Sequence, residues 1–272
     1  MPELPEVETI VRGLRAKLTR QMISSINLRL PSLLKGVKEA DLKKLQGKRI
    51  LRLRRRGKII IIECEGDISL LFHLKMTGSL LLVDRKSEVD KHTHLIITLE
   101  MKSKELRFRD VRKFGYFYFL PTSKIFSLPP LDKLGPEALE INLNEFLAMF
   151  KGRRARIKSL LLNQNFIAGV GNIYADEILF QAKIHPLKPA SQLKSEELKR
   201  LWTAMRDVLL KAIESKGSSV RNYIDADGRQ GRFQDYHQVY GQQGQSCPRC
   251  GQKIKRIRLG GRSTFFCSRC QK

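Results

Sequence analysis

Four cysteines close to the end of the chain constrain its fold more than any other feature. Cys247 and Cys250 form one CxxC pair, Cys267 and Cys270 form a second, and sixteen residues separate the pairs. This spacing is typical of a zinc site with four thiolate ligands, in which each pair makes one knuckle and the intervening chain makes a β-hairpin. Because four thiolates leave no coordination position for water, we expect one Zn²⁺ ion with a structural role.

The excess of basic residues indicates an anionic partner. The 272-residue chain has 52 Lys and Arg against 27 Asp and Glu, which gives a net charge of +25. The basic residues cluster: 48–58 holds seven of them and no acid, and 151–158 holds five more. Such charge destabilises a compact state through self-repulsion, and the usual anionic partner is DNA or RNA. Charge alone does not distinguish an enzyme from a ribosomal or nucleoid protein.

The remaining composition argues against a membrane protein. No apolar run approaches about 18 residues and no signal peptide opens the chain, so we expect a soluble intracellular protein without a membrane partner. In a reducing compartment, two disulfides are a poor alternative to zinc for the paired cysteines. Cys64 ends an apolar segment, and we expect it to be a buried thiol.

Hydrophobic patterning divides the chain into a β-rich first part and a helical second part. Apolar residues at helical spacing from Val7 to Leu18 predict an N-terminal helix, and seven short segments rich in Ile, Leu, Phe and Tyr predict an antiparallel sandwich. The predicted strands cover 22–30, 50–53, 58–64, 68–74, 79–83, 94–99 and 114–120. After a Pro/Gly-rich connector at 128–136, the predicted helices cover 146–150, 157–161, 173–180 and 198–213.

The predicted fold class is therefore α+β, with an N-terminal helix and a two-sheet β-sandwich followed by a helical domain and a zinc ribbon. We expect a β-sandwich domain at 1–130, a linker at 131–140, a helical domain at 141–235 and a zinc-binding hairpin at 236–272. Gly260 and Gly261 mark the turn of that hairpin and place Arg262 at its tip. Because the hairpin module lacks acids, we expect Arg262 to contact a phosphate or sugar.

The N-terminus presents an unusual candidate nucleophile. If Met1 is removed, Pro2 has a free secondary amine, and an α-amino group has a pKa near ~8 against ~10.4 for lysine. Glu3 and Glu6 lie within one helical turn and are candidates for proton transfer. The alternative interpretation is that these residues form a frayed tail whose prolines only start a helix.

A glycine-rich junction at 166–177 connects two predicted helices. Asn172 is placed to cap the second helix, whose first amides can bind a phosphate. With 156–158, the junction resembles a helix–two-turn–helix DNA-binding element, although alone it is an ordinary helix junction. It is not a dinucleotide fingerprint, because no third glycine follows and no strand precedes it.

Six motifs occur in the order found in bacterial formamidopyrimidine-DNA glycosylases, the 8-oxoguanine DNA glycosylase/AP lyases, and the chain resembles that family over essentially its whole length. They are MPELPE at the start, HLKMTG at 73–78, KHTHL at 91–95, DVRKFG at 110–115, GVGNIYADE at 169–177 and the two CxxC pairs. The related endonuclease VIII branch has PEGPE at the N-terminus, whereas this chain has Leu4. The resemblance therefore implies an oxidised-purine substrate in double-stranded DNA.

The resemblance implies the following catalytic roles. Pro2 attacks C1′ of the damaged nucleotide and forms an iminium, Glu3 is the general acid/base, and Glu6 supports Glu3 by hydrogen bonding. Lys58 reaches the phosphate and the damaged nucleotide. β- and then δ-elimination cut both flanking phosphates, which defines a bifunctional glycosylase/AP lyase. An exposed lysine at a strand end is the alternative for Lys58.

The resemblance also implies a set of DNA contacts for a nucleotide turned out of the stack. Met76, Arg112 and Phe114 fill the space left by the extruded nucleotide, although a Met or Phe beside a strand is alone more often core. The proposed phosphate-binding residues are His73, Lys158, Asn172 and Arg262. His92 is a further DNA-contact candidate; His92 and His94 share a strand face, but no third metal ligand is apparent. Arg221 belongs to a glycine-bounded segment at 217–231 that resembles the family's mobile lesion loop.

Two alternatives stay open at this point. One is an endonuclease VIII-like enzyme for oxidised pyrimidines, and the other is a non-catalytic zinc-ribbon protein that binds DNA. In each case we expect a monomer in the bacterial cytosol or nucleoid.

Overall fold

The structure, a computed structural model, describes residues 1–101, 103–129, 131–220 and 222–272. Its internal contacts divide the chain into a first unit, 1–132 with 215–232, and a second unit, 133–214 with 233–272. The sequence-based boundaries group 217–231 with the helices because it directly follows them along the chain. In the structure this segment packs with the first unit.

The first unit contains one helix and two sheets around a shared core, as the α+β prediction requires. Helix α1 spans Leu4–Leu18. The strands are β1 Ile23–Leu28, β2 Leu34–Lys35, β3 Ile50–Arg56, β4 Ile59–Cys64, β5 Ile68–His73, β6 Gly78–Asp84, β7 Thr93–Leu99, β8 Lys104–Asp110 and β9 Tyr116–Pro121. One sheet has the order β1-β7-β8-β6 and the other the order β2-β9-β5-β4-β3. All neighbouring strands are antiparallel except β2 and β9.

The apolar stripe of α1 is buried as its helical spacing predicts. Val7, Ile10, Val11, Leu14 and Leu18 are all inaccessible to solvent and belong to one core cluster that also contains residues of both sheets. Burial of each large aliphatic side chain contributes about 1.5–3 kcal/mol to stability. The core therefore fixes the helix and, with it, the position of the chain's N-terminus.

Strand β8 is absent from the sequence prediction. Its residues alternate charged and apolar, whereas the predicted strands rest on apolar runs. In the structure Glu105 and Arg107 are both buried, and their charges are paired: the Arg107 Nε lies 2.7 Å from a Glu105 carboxylate oxygen, and the guanidinium also donates to the Ser87 and Glu88 carbonyl oxygens. A buried ion pair is thus accommodated within the sheet at positions where apolar residues are the usual occupants.

The second unit is helical apart from one hairpin. Its helices are α2 Leu143–Met149, α3 Ile157–Leu162, α4 Asn172–Ala182 and α5 Ser195–Glu214, and its strands are β10 Lys255–Leu259 and β11 Arg262–Phe266. Gly260 and Gly261 form the two-residue turn with φ values of 55° and 75°, a left-handed pair that favours glycine. Among the described residues, no helix has the length and apolar composition needed to cross a membrane.

The start of α4 differs from the prediction in one respect. Gly171 is the N-cap and has no side chain to offer, while Asn172 is the first helical residue. The Asn172 side-chain Nδ2 instead donates to the Ser263 carbonyl oxygen at 2.9 Å. Asn172 therefore links α4 to the hairpin rather than capping its own helix.

Candidate active site and nucleic-acid interface

The candidate catalytic residues at the N-terminus are held against the core of the first unit. Pro2, Glu3 and Glu6 are buried, whereas Met1 is 44% exposed. The Glu6 carboxylate accepts two backbone hydrogen bonds, from Glu3 N to Oε2 and from Ser218 N to Oε1, each at 2.8 Å. Glu6 is therefore placed to orient its neighbours, and the position of Pro2 at the start of α1 is fixed by the packing of that helix.

The two ends of the segment 217–231 lie close together, beside the Glu6 side chain. Gly217 has φ +80°, and a Cβ added there would lie 2.9 Å from both Cγ and Oε1 of Glu6. A Cβ on Gly231 would lie 2.2 Å from the Gly217 carbonyl oxygen. Real Cβ atoms do not approach so closely, so a side chain at Gly231 would collide with the backbone and one at Gly217 would displace the Glu6 side chain. We call Gly217, Ser218 and Gly231 the loop base.

The second half of the same segment packs into the core. Tyr223 and Ala226 belong to the core cluster of the first unit, and Leu82 N donates to the Ala226 carbonyl oxygen at 2.9 Å. The Tyr223 hydroxyl donates to the Glu6 carbonyl oxygen at 3.3 Å. The segment is thus anchored beyond its base, and closure of the remaining part over a base stays a prediction. Arg221 lies outside the described residues.

Replacement of Gly217 by alanine tests whether the loop base positions Glu6. The added methyl group must displace the Glu6 side chain, and displacements near 1 Å at a catalytic site cost roughly a hundredfold in rate. Gly228→Ala is the matched control, because Gly228 has φ +79° and a Cβ added there would have no neighbour within 4 Å. Both variants incur about 1–2 kcal/mol of backbone strain. We expect Gly217→Ala to lower Tm more than Gly228→Ala, because only Gly217→Ala adds a steric contact with Glu6, and we expect a loss of base excision only in Gly217→Ala. Equal activities would rule out this role.

Lys58 and His73 lie together at one end of neighbouring strands. Lys58 is buried and immediately precedes β4, whose Ile59 pairs with His73 of β5. Burial, with the nearby charges of Lys75 and Lys58, lowers the pKa of His73 to about 3. Nδ1 of His73 accepts from Lys75 N at 3.0 Å, which leaves the proton on Nε2. His73 is therefore a neutral donor, and any phosphate contact depends on that N–H rather than on charge.

Two loops leave the four-stranded sheet at the same end of its strands. Gly78 starts β6 and pairs with Asp110 at the end of β8, so loops 74–77 and 111–115 are neighbours. Phe114 is 53% exposed and Met76 is 38% exposed. The Arg112 guanidinium lies 4.6 Å from the centroid of the Phe114 ring. This exposure supports the wedge interpretation of Met76, Arg112 and Phe114 over the core interpretation, and we call these three residues the wedge.

The exposure of Phe114 leads to a direct prediction. Phe114→Ala is expected to lower the free energy of unfolding by less than about 1 kcal/mol, because only a surface cation–π contact is lost. Phe108→Ala, at a fully buried site in contact with Phe72 and Phe117, is the control and is expected to cost about 3–5 kcal/mol. Denaturant unfolding measures both. Base excision from duplex DNA should fall in Phe114→Ala, and a large stability loss there would assign Phe114 to the core.

Lys158 and Asn172 lie at a polar junction within the second unit. Lys158 has no exposed surface; its Nζ lies 2.7 Å from the Asp176 carboxylate and 2.8 Å from the Thr264 hydroxyl. Asp176 also accepts from Phe265 N at 3.0 Å. These contacts join α3 and α4 to the hairpin. In this arrangement Lys158 stabilises the junction, and its direct phosphate contact stays a prediction.

Arg262 and His92 differ in how far the structure supports a DNA contact. Arg262 is exposed at the first position of β11, next to the hairpin turn, as a phosphate contact requires. His92 is partly buried, and its carbonyl oxygen accepts from Asp110 N at 3.0 Å, so its backbone supports the end of β8. No group of metal-ligating side chains that includes His92 or His94 occurs among the described residues.

The four paired cysteines have the geometry of a zinc site. Their Sγ atoms all lie within 4.8 Å of one another, with Cys250 and Cys267 at 3.5 Å and Cys247 and Cys270 at 3.9 Å. Tetrahedral Zn–S bonds of about 2.3 Å require S···S separations of about 3.8 Å. The donor set therefore fits one structural Zn²⁺ ion, as the sequence predicts. The cluster packs against Phe180 of α4, so the metal stabilises a junction with the helices.

Some contacts that shape the site have no counterpart in the sequence prediction. They involve Asp110, Thr77, Asp176 and the loop base. Asp110 stands within the DVRKFG motif and Asp176 within GVGNIYADE, so the motifs could have identified both residues as candidates. The partners of these carboxylates, however, are backbone amides, hydroxyls and a lysine distant in sequence, and spacing does not identify them.

Comparison with known proteins identifies the family. Three family models match: the formamidopyrimidine-DNA glycosylase N-terminal domain over residues 1–117, its H2TH domain over 134–223, and a zinc finger found in FPG and IleRS over 244–272. The formamidopyrimidine-DNA glycosylase of Pelotomaculum thermopropionicum is 42% identical over 275 residues, which cover 100% of this chain and 99% of that protein.

Solved structures agree with this result over the full chain. A point mutant of Lactococcus lactis FPG in complex with Fapy-dG containing DNA has a TM-score of 0.93 and 38% identity, with 100% of both chains covered. Wild-type Lactococcus lactis FPG with DNA containing an oxidized pyrimidine has a TM-score of 0.91 and 37% identity, again over 100% of both chains. Sequence identity and fold thus agree from end to end, and the chain belongs to the formamidopyrimidine-DNA glycosylase family.

Proposed function

We propose that this protein is a bifunctional DNA glycosylase/AP lyase that removes oxidised purines, 8-oxoguanine and formamidopyrimidines, from duplex DNA. The observation that carries the proposal is the buried cluster of Pro2, Glu3 and Glu6 at the start of α1, with Glu6 hydrogen-bonded to the loop base. The residues of a frayed N-terminal tail would instead be exposed to solvent. The basic charge and the zinc hairpin supply the binding surface for an anionic duplex.

The proposed chemistry begins with the secondary amine of Pro2 after removal of Met1. The amine attacks C1′ of the damaged nucleotide, the C1′–N bond breaks, and the base leaves with the bonding electron pair and then gains a proton. Glu3 protonates the ring oxygen as the sugar opens, which gives an iminium between Pro2 and C1′. The iminium accepts electrons, so loss of a C2′ proton expels the 3′-phosphate, and a second elimination expels the 5′-phosphate.

The remaining residues act on binding and positioning. Glu6 orients Glu3 through its backbone amide, and Lys58 and His73 face the phosphates beside the lesion. The wedge replaces the extruded nucleotide, whose removal from the stack costs a few kcal/mol. Arg112 is proposed to hydrogen-bond the orphaned cytosine, and Arg262 and Asn172 to hold backbone phosphates.

Borohydride trapping tests the proposal. The reductant converts an iminium into a stable amine, so an enzyme of this type becomes covalently joined to a duplex with 8-oxoguanine opposite cytosine. A non-catalytic DNA-binding protein binds the same duplex and gives no covalent product. A parallel assay with thymine glycol opposite adenine measures pyrimidine activity, which is informative because a relative has been solved with DNA that contains an oxidized pyrimidine. Faster excision of thymine glycol would contradict the purine assignment.

We also propose where and in what form the protein acts. Its relatives are bacterial, and its substrate is DNA, so we place it at the nucleoid in the bacterial cytosol. All proposed catalytic residues belong to one chain, which is sufficient for a monomeric enzyme.

A further inference from the structure

Asp110 joins the two loops that carry the wedge. Its side chain is completely buried at the end of β8. One carboxylate oxygen accepts from the Thr77 hydroxyl and, at 3.2 Å, from Arg112 N. The other oxygen accepts from Gly115 N at 2.6 Å. A single buried carboxylate thus binds the loop of Met76 through Thr77 and the loop of Phe114 at both of its ends.

The surrounding backbone leaves little room for another arrangement. A Cβ on Gly115 would lie 2.7 Å from the Phe108 ring and 3.0 Å from the Asp110 carboxylate. A Cβ on Gly78 would lie 2.5 Å from the Leu74 carbonyl oxygen. Lys113, within the second loop, has a left-handed φ of 57°. Tight turns of this kind need hydrogen-bond acceptors for their inward-pointing amides, and Asp110 supplies them.

The main chain of Asp110 extends the same network. Its amide donates to the His92 carbonyl oxygen at 3.0 Å, and its carbonyl oxygen lies 2.8 Å from the His94 ring Nε2. The buried His94 ring therefore has a hydrogen-bonding partner in the backbone of Asp110. Main-chain hydrogen bonds thus hold Asp110 in the sheet, and its carboxylate extends from this fixed backbone to the loops.

We propose that Asp110 is the positioning residue that holds Met76, Arg112 and Phe114 as one preformed wedge. This inference rests on the proposed function and adds a residue that touches neither substrate nor reacting atoms. Exposed apolar side chains on separate loops would lose conformational freedom on entering the duplex, and prior ordering by Asp110 reduces that cost. Hydrogen bonds to a buried carboxylate are among the strongest in proteins, which suits this role.

Asp110→Asn tests the inference. The substitution keeps size, removes the carboxylate charge and turns one acceptor oxygen into a donor, so the Thr77 hydroxyl, Arg112 N and Gly115 N are left with one acceptor oxygen in place of two. Two substrates separate positioning from folding: a duplex with 8-oxoguanine opposite cytosine requires base extrusion, and a single strand with a preformed abasic site does not. We expect the ratio of duplex excision to single-strand cleavage to fall at least about tenfold, consistent with loss of a buried charged hydrogen bond.

Glu105→Gln is the matched control. Glu105 is also a buried carboxylate on β8, and it pairs with Arg107 away from the wedge. We expect this variant to lower Tm and leave the substrate ratio unchanged. If Asp110→Asn also keeps the wild-type ratio, or if Glu105→Gln loses it equally, the inference is wrong.

A second pair of variants covers the case in which Asp110→Asn does not fold. Thr77→Val removes only the hydroxyl that links the loops, and Thr77→Ser restores it. We expect a reduced ratio in the first and recovery in the second; no difference between them would overturn the inference. If wild-type protein excises no base and gives no borohydride adduct, the proposed function itself fails, which is a distinguishable result.

Discussion

Protein that retains any residue in front of Pro2 is expected to lose borohydride trapping and strand cleavage. The extension converts the secondary amine into a tertiary amide, which has no nucleophilic lone pair. Loss of a covalent nucleophile typically reduces turnover by orders of magnitude, and we expect at least about a thousandfold here. Folding and binding of a lesion duplex should persist, because the apolar stripe of α1 and the zinc hairpin are unaffected. Comparison of N-terminally processed and extended protein by mass spectrometry and trapping makes the measurement.

Glu3→Gln is the informative companion variant. It keeps the amine of Pro2 and removes the proton donor, so base release should fall most, while some cleavage at a preformed abasic site continues because an aldehyde is already present. A lysine nucleophile would be indifferent to an N-terminal extension, and Lys58 is the obvious candidate. Equal cross-linking of extended and processed protein would therefore exclude Pro2 as the nucleophile and favour Lys58.

The fold was predictable wherever burial alone decides local structure. The apolar stripe of α1, the strands Ile59–Cys64 and Ile68–His73 and the long helix α5 all carry their periodicity in the sequence. Strand β8 was missed because its core-facing residues, Leu106 and Phe108, alternate with charged residues and form no apolar run. Strand β3 is longer than predicted for a related reason: Arg54 and Arg55 are accommodated by Glu63 and Glu8.

The candidate site was predictable as a set of residues and less so as a set of contacts. The motifs placed Pro2, Glu3 and the four cysteines, whose chemistry depends on residue type and short spacing. The link from Glu6 to Ser218 spans 212 positions, and the Lys158–Asp176 pair joins two helices. Such contacts arise from tertiary packing. The buried position of Lys158 shows the consequence, since sequence similarity implied a phosphate contact and gave no indication of its internal partner.

Removal of zinc is expected to abolish tight DNA binding. Binding of structural zinc supplies about 10–16 kcal/mol in small zinc-binding modules, so the hairpin should unfold after chelation or in Cys250→Ser. The hairpin and its flanks carry eight Lys and Arg and no acid after Asp235, all of which lose their fixed placement. Fluorescence anisotropy with a lesion duplex measures affinity, and circular dichroism measures the remaining fold. The first unit should stay folded, because its core does not include the cluster.

Cys64→Ala is the control for the zinc prediction. Burial raises the pKa of the Cys64 thiol to about 12, so this cysteine is protonated at neutral pH and should not hold metal. The variant should lose some stability through a small cavity and retain zinc and DNA affinity. If chelated protein binds the lesion duplex as tightly as zinc-loaded protein, the binding role of the hairpin is wrong.

Loss of the hairpin should also destabilise the helices of the second unit. Ser263 and Thr264 of β11 accept hydrogen bonds from the Lys158 ammonium, and Phe265 N donates to Asp176. Without the hairpin, this ion pair loses three hydrogen-bonding partners and becomes accessible to water, where an ion pair contributes at most about 1 kcal/mol, so the packing of α3 against α4 weakens. Hydrogen exchange should therefore show faster opening of α3 and α4 after chelation, and unchanged protection there would confine the effect of zinc to the hairpin.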